Sequence, residues 1–130
     1  MRSIQSTFRH VFGMAVFAAL VLVMSGLISA QTITTVAGGN GPGSAANQLN
    51  SPFGIAVHAG SLYIADRSNN RIQKVTPDGS VSTVAAGSLF GPVYIAVDGG
   101  TLYIADYGNS RIQKVAPNGT VTTVAGGNGA

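Results

Sequence analysis

Two sets of three residues carry most of the polar chemistry in this chain: Asp66, Asn69 and Arg71, and again Asp106, Asn109 and Arg111. An acid, an amide and a guanidinium at one spacing can hold a cation or grip a carboxylate ligand. The same trio also suits a turn between strands. There aspartate and asparagine satisfy local backbone N–H groups, and arginine pairs with the aspartate. The set is made twice, 40 residues apart, whereas an active site is normally built once, so the structural-turn reading takes precedence. Other reactive side chains are scarce. His58 is the one histidine after residue 30, and a Ser-His-Asp arrangement needs a histidine held between two partners; it reads as a surface turn residue. The chain has no cysteine, and all four of its acids are aspartates, which excludes disulfides and thiolate metal sites. The glycines of residues 38–43 lack the Lys-Ser/Thr and helix of a phosphate-binding loop. No catalytic residue, cofactor site or metal site is assigned.

The elements that must position these residues are also written twice. Residues 52–87 and 92–127 match at 23 of 36 positions without a gap, so the unit is copied. Each copy reads as four short strands. In the second they fall at residues 95–97, 102–105, 112–115 and 121–124. Asp98-Gly-Gly signals a hairpin because glycine accepts positive φ without steric cost. Pro117-Asn-Gly119 signals the last turn, as Pro77-Asp-Gly79 does in the first copy. Residues 62–65, Leu-Tyr-Ile-Ala, are apolar on both faces, which predicts a sheet covered on both sides. About 40 residues per four strands is the period of a propeller blade. The predicted fold is all-β: propeller blades built as four-stranded antiparallel meanders, about two of them plus one extra strand, preceded by a signal helix.

By these motifs the chain resembles the NHL repeat of β-propeller proteins. They are Pro-x-Gly-Ile-Ala-Val, then Leu-Tyr-Ile-Ala-Asp-x-x-Asn-x-Arg-Ile-Gln-Lys-Val, then Pro-Asp/Asn-Gly-x-Val-x-Thr-Val-Ala-Gly, in order and twice. Departures are Tyr94 where the first copy has Gly54, and Asp98 where it has His58. The resemblance implies a propeller, commonly of six blades. It also brings enzymes into view, but this chain lacks the several histidines of the amidating lyase that shares the repeat and the glutamate ligand of lactonase-like propellers.

Residues 1–30 read as a secretory signal peptide: Arg2 and Arg9, an apolar run over 11–23, and small residues before a cut after Ala30. The expected location is therefore exported: secreted, periplasmic or cell surface, with the membrane involved only if the segment stays uncleaved. Residues 31–130 form the NHL-repeat propeller segment, with 32–39 an outer strand of a preceding blade, 52–87 the first blade and 92–127 the second. This part carries Arg67, Arg71, Lys74, Arg111 and Lys114 against Asp66, Asp78, Asp98 and Asp106, a net charge of 5 − 4 = +1. That leaves no electrostatic footprint for nucleic acid. Closed propellers have roughly 4–8 blades, so further blades or self-association are needed to close the ring, and a partial reading of a longer protein is preferred over a native oligomer.

In a meander, alternate turns share one end of the sheet. The loop over residues 40–51 therefore lies with Phe53, Tyr94, Arg67 and Tyr107, and several of these differ between the two copies while the strands do not. Variable aromatic and arginine side chains on loops above a rigid frame suit recognition. The expected function is a non-catalytic scaffold binding a protein, peptide or glycan at that face. The alternative is a fragment of a propeller enzyme, such as a hydrolase, lactonase or lyase, whose catalytic residues lie on missing blades.

Overall fold

The computed structural model describes residues 31–127. The signal segment expected over 1–30 lies outside the described residues. The chain divides into the compact units Met1–Thr34 and Thr35–Ala130, and the architecture below belongs to the second.

Eight strands follow in chain order: β1 Pro52–His58, β2 Ser61–Asp66, β3 Arg71–Val75, β4 Val81–Ala85, β5 Pro92–Asp98, β6 Thr101–Asp106, β7 Arg111–Val115 and β8 Val121–Gly126. They form two four-stranded antiparallel meanders, β1-β2-β3-β4 and β5-β6-β7-β8. Among the described residues no helix is long and apolar enough to cross a membrane.

Each turn follows from its residues. His58 pairs with Ser61 and Asp98 with Thr101, which leaves two-residue hairpin loops. Their central residues all have positive φ (Ala59 47°, Gly60 73°, Gly99 51°, Gly100 80°), the geometry whose twist matches the flanking strands. The second turn of each sheet is one 3-10 turn, Arg67–Asn69 or Tyr107–Asn109, closed by a left-handed residue, Asn70 or Ser110. The third is the Pro-Asp/Asn-Gly turn, tied by Thr76 N–H to Ser80 O (3.0 Å) and Ala116 N–H to Thr120 O (2.9 Å).

Side-chain alternation assigns the faces. Opposite partners share a face, so Tyr63, Ala65 and Ile72 lie on one side of the first sheet, and Ile95, Val97, Leu102 and Ile104 on one side of the second. These two faces pack together with Ala85, Leu89 and Val115 into the core. The sheets are thus adjacent blades, each lending one face to the seam. At the innermost strands the backbones touch: a Cβ on Gly54 would overlap the carbonyl oxygen of Val93 and stand 3.0 Å from Tyr94 Cα. Only glycine fits there. The outer faces are less covered. Ile55 and Val57 are exposed where their counterparts Ile95 and Val97 pack against the core, and Ile112 is exposed where Ile72 is buried.

One expectation needs correction. Residues 32–39, expected as an outer strand of a preceding blade, form no strand in the structure. The matching run Val121–Gly126 is a strand because β7 runs beside it. Residues 32–39 have no such neighbour among the described strands, and an extended segment without a ladder partner is not a strand.

Candidate recognition cleft

At the end of each meander where the second strand turns into the third, a buried aspartate gathers the loop that enters the blade. Asp66 is fully buried and accepts from Asn50 N–H (2.7 Å), Asn69 Nδ2 (2.8 Å) and Arg71 Nε (2.7 Å). Asp106, equally buried, accepts from Phe90 N–H (2.7 Å), Asn109 Nδ2 (2.8 Å) and Arg111 Nε (2.9 Å). The arginines reach further. Arg71 donates to the carbonyl oxygens of Ser44 (2.7 Å), Ala45 (2.9 Å) and Gln48 (2.9 Å), and Arg111 donates to Ser88 O. Asn69 also donates to Gly43 O at 2.7 Å, and Asn109 to Ser88 O at 3.1 Å. In both repeats the trio clamps a connection to its blade, and both oxygens of each aspartate are engaged in that task.

Gln73 and Gln113 are buried polar residues that sequence reasoning passed over. Gln73 donates to Ala46 O (3.2 Å) and accepts from Thr83 Oγ1 (3.0 Å), while Gln113 accepts from Thr123 Oγ1 (3.3 Å). The signal was present: an amide stands between isoleucine and lysine at the middle of β3 and of β7, where a solvated strand has no need of one. Among the described residues no buried side-chain nitrogen or oxygen lacks a hydrogen-bond partner. No three His, Cys, Asp or Glu side chains among them gather closely enough to hold a metal ion.

Above this clamped frame lies a cleft of about 240 Å³ lined by Phe53, Arg67, Val93, Tyr94 and Tyr107. The four residues singled out from the sequence, Phe53, Arg67, Tyr94 and Tyr107, come together around it, and Val93 is an addition. Phe53 and Tyr94 meet edge to face, with ring centroids 5.4 Å apart and planes at 83°, the arrangement aromatic quadrupoles favour. Phe53 and Tyr94 come from the starts of β1 and β5, and Arg67 and Tyr107 open the two 3-10 turns. The lining therefore samples equivalent places in the two copies: Phe53 against Val93, Gly54 against Tyr94, Arg67 against Tyr107. Three of the pairs at which the copies differ most in chemistry thus converge on one spot. His58 lies elsewhere, half-buried at the far end of β1.

Exposed Asp78 belongs to the opposite turn. Hydrogen bonds from the Thr76 hydroxyl, then from the Ser80 N–H and hydroxyl, hold its carboxyl below the usual carboxylate range.

Two adjacent four-stranded meanders stacked face to face, with a cleft at one end of the seam, define a β-propeller architecture. The family profile described as the NHL repeat matches residues 49–75 and 91–115, one match on each sheet, so the chain carries two NHL repeats. Its fold is similar to that of virginiamycin B lyase from Staphylococcus aureus, with a TM-score of 0.51 and 16% identity over 55% of this chain and 26% of that one. A streptogramin B lyase structure is similar to the same degree, with a TM-score of 0.51 and 19% identity over 55% of this chain and 25% of the other. The likeness is one of fold, and the chain spans about a quarter of the length of these structures. A comparison with curated protein sequences finds no match.

Proposed function

We propose that this chain is an exported NHL-repeat propeller segment that acts as a non-catalytic binding scaffold, holding a protein, peptide or glycan ligand in the cleft between its two blades. The observation that carries the reading is the convergence of Phe53, Arg67, Tyr94 and Tyr107 on one cleft. The aspartates beneath them are occupied in clamping loops. Exposed aromatic and arginine side chains on a rigid frame are the composition of binding hot spots. The apolar leader at residues 1–30 supports export. The net charge of +1 on residues 31–130 supports a ligand other than nucleic acid. Exposed Ile55, Val57 and Ile112 support a setting in which further blades or a second copy cover the outer faces.

The test is capture by the immobilised full chain from panels of peptides, proteins and glycans, repeated with Tyr107→Ala and Arg67→Ala. Capture that both variants abolish at an unchanged unfolding midpoint is the expected result. Capture indifferent to both variants would refute the assignment of the cleft.

A second reading, a fragment of a propeller enzyme with catalytic residues on other blades, draws support from the two lyases among the similar structures. Bond cleavage by the full chain that is lost on altering the cleft would favour it.

A further inference from the structure

The chemistry of the cleft narrows its ligand. This step rests on the binding reading above and specifies the ligand it leaves open. The ion pairs among the described residues are Arg71–Asp66 and Arg111–Asp106. Arg67 has no acidic partner among those residues, and no acid lines the cleft. A guanidinium with free donors selects a carboxylate, which it can take with two parallel hydrogen bonds.

The walls argue for the rest of the ligand. Phe53, Tyr94 and Tyr107 remain 56%, 62% and 68% exposed, so the rings stand open to solvent and enclose no socket. A peptide anchor gains its energy in a well-packed, desolvated pocket, which this site does not offer. A pyranose ring presents a flat face of C–H groups that packs on an exposed aromatic face while its hydroxyls stay in water. The volume of about 240 Å³ lies below the roughly 300–1,000 Å³ of sites for drug-sized ligands, and suits one sugar ring. We propose that the cleft takes one uronic-acid residue of an acidic glycan, with its C–H face on the exposed Tyr94 ring, which Phe53 braces edge to face, and its carboxylate on Arg67.

The experiment titrates the full chain with glucuronate oligomers, with glucose oligomers of the same linkage and length, and with an acidic peptide of equal charge. Aromatic NMR signals and calorimetry follow the binding. The expected result is that the glucuronate oligomer binds, shifts the ring signals of Phe53, Tyr94 and Tyr107, and binds roughly tenfold or more tightly than the glucose oligomer, since a charge-assisted hydrogen bond is worth that much. Arg67→Gln should level the two sugars, and Tyr94→Ala should weaken both. Unchanged strand signals in each variant establish that it is folded. If the glucose oligomer or the peptide binds as tightly as glucuronate, or if Arg67→Gln leaves the ratio untouched, the uronate assignment falls while ligand binding in the cleft stands. If no probe moves the ring signals, the uronate assignment also falls, and the capture panel alone decides the binding reading.

Discussion

Truncating Asp106 to alanine should unfold this domain far more readily without retuning what the cleft selects. The carboxylate is fully buried and accepts from Phe90 N–H, Asn109 Nδ2 and Arg111 Nε at 2.7, 2.8 and 2.9 Å. Alanine leaves Phe90 N–H and Arg111 Nε without an acceptor and leaves Asn109 Nδ2 with Ser88 O alone. Breaking a buried ion pair by removing one partner costs about 3–5 kcal/mol. The Arg111 side chain keeps 22% of its exposure and its bond to Ser88 O, so water repairs part of the loss, and the lower end of that range, about 3 kcal/mol, applies. Whole domains are stable by only about 5–15 kcal/mol, which makes this a large fraction. With a urea slope near ~1–1.5 kcal/mol per molar for a small domain, the midpoint should fall by about 2–3 M. Asp106→Asn keeps one carbonyl acceptor and should lose roughly half as much. Urea titrations followed by far-UV circular dichroism measure both. An Asp106→Ala protein that melts within about 1 kcal/mol of the parent, or one of unchanged stability that loses a ligand, would refute the clamp argument.

Two further outcomes are expected. Gly54→Ala forces the β1 and β5 backbones apart, because the added carbon meets the Val93 carbonyl and Tyr94 Cα. It should cost about 1–3 kcal/mol as an overpacked seam, and an unchanged melting temperature would contradict the close approach. The Asp78 carboxyl should titrate by NMR below the ordinary carboxylate range, because the Thr76 hydroxyl and the Ser80 N–H stabilise its charged form. Its folded value lies below its unfolded one, so its contribution is present above the ordinary carboxylate range and is lost as pH falls through the lowered value. The group is fully exposed and the contribution small. Asp78→Asn should therefore change stability little at neutral pH, since Asn118 accepts from Thr120 N–H (3.0 Å) at the matching turn.

The strands and turns were legible because local chemistry and the repeat agree. Asp98-Gly-Gly can only be a tight hairpin, and two copies of Arg-Ile-Gln-Lys-Val must do the same thing twice. The gathering of Phe53, Arg67, Tyr94 and Tyr107 was legible from meander geometry, which sends alternate turns to one end. The partners of the trio were hidden. Asp66 reaches the backbone N–H of Asn50, 16 positions away, and Arg71 reaches carbonyl oxygens of residues 44–48, 23 to 27 positions away, and main-chain partners leave no trace in residue identity. The strand expected at residues 32–39 failed for a related reason. Its Thr-Val-Ala-Gly pattern states a preference for extended backbone, but a ladder needs a neighbour that the pattern does not specify.

The attachment of the loop that precedes the first blade uses peptide oxygens. Asn69, Arg71 and Gln73 seize the oxygens of Gly43, Ser44, Ala45, Ala46 and Gln48, and any residue supplies such an oxygen. The side chains of Ser44, Ala45 and Ala46 are thereby released from holding the loop in place. Their identities can drift, and new ones can be tried beside the blade, without loosening the mooring beneath them.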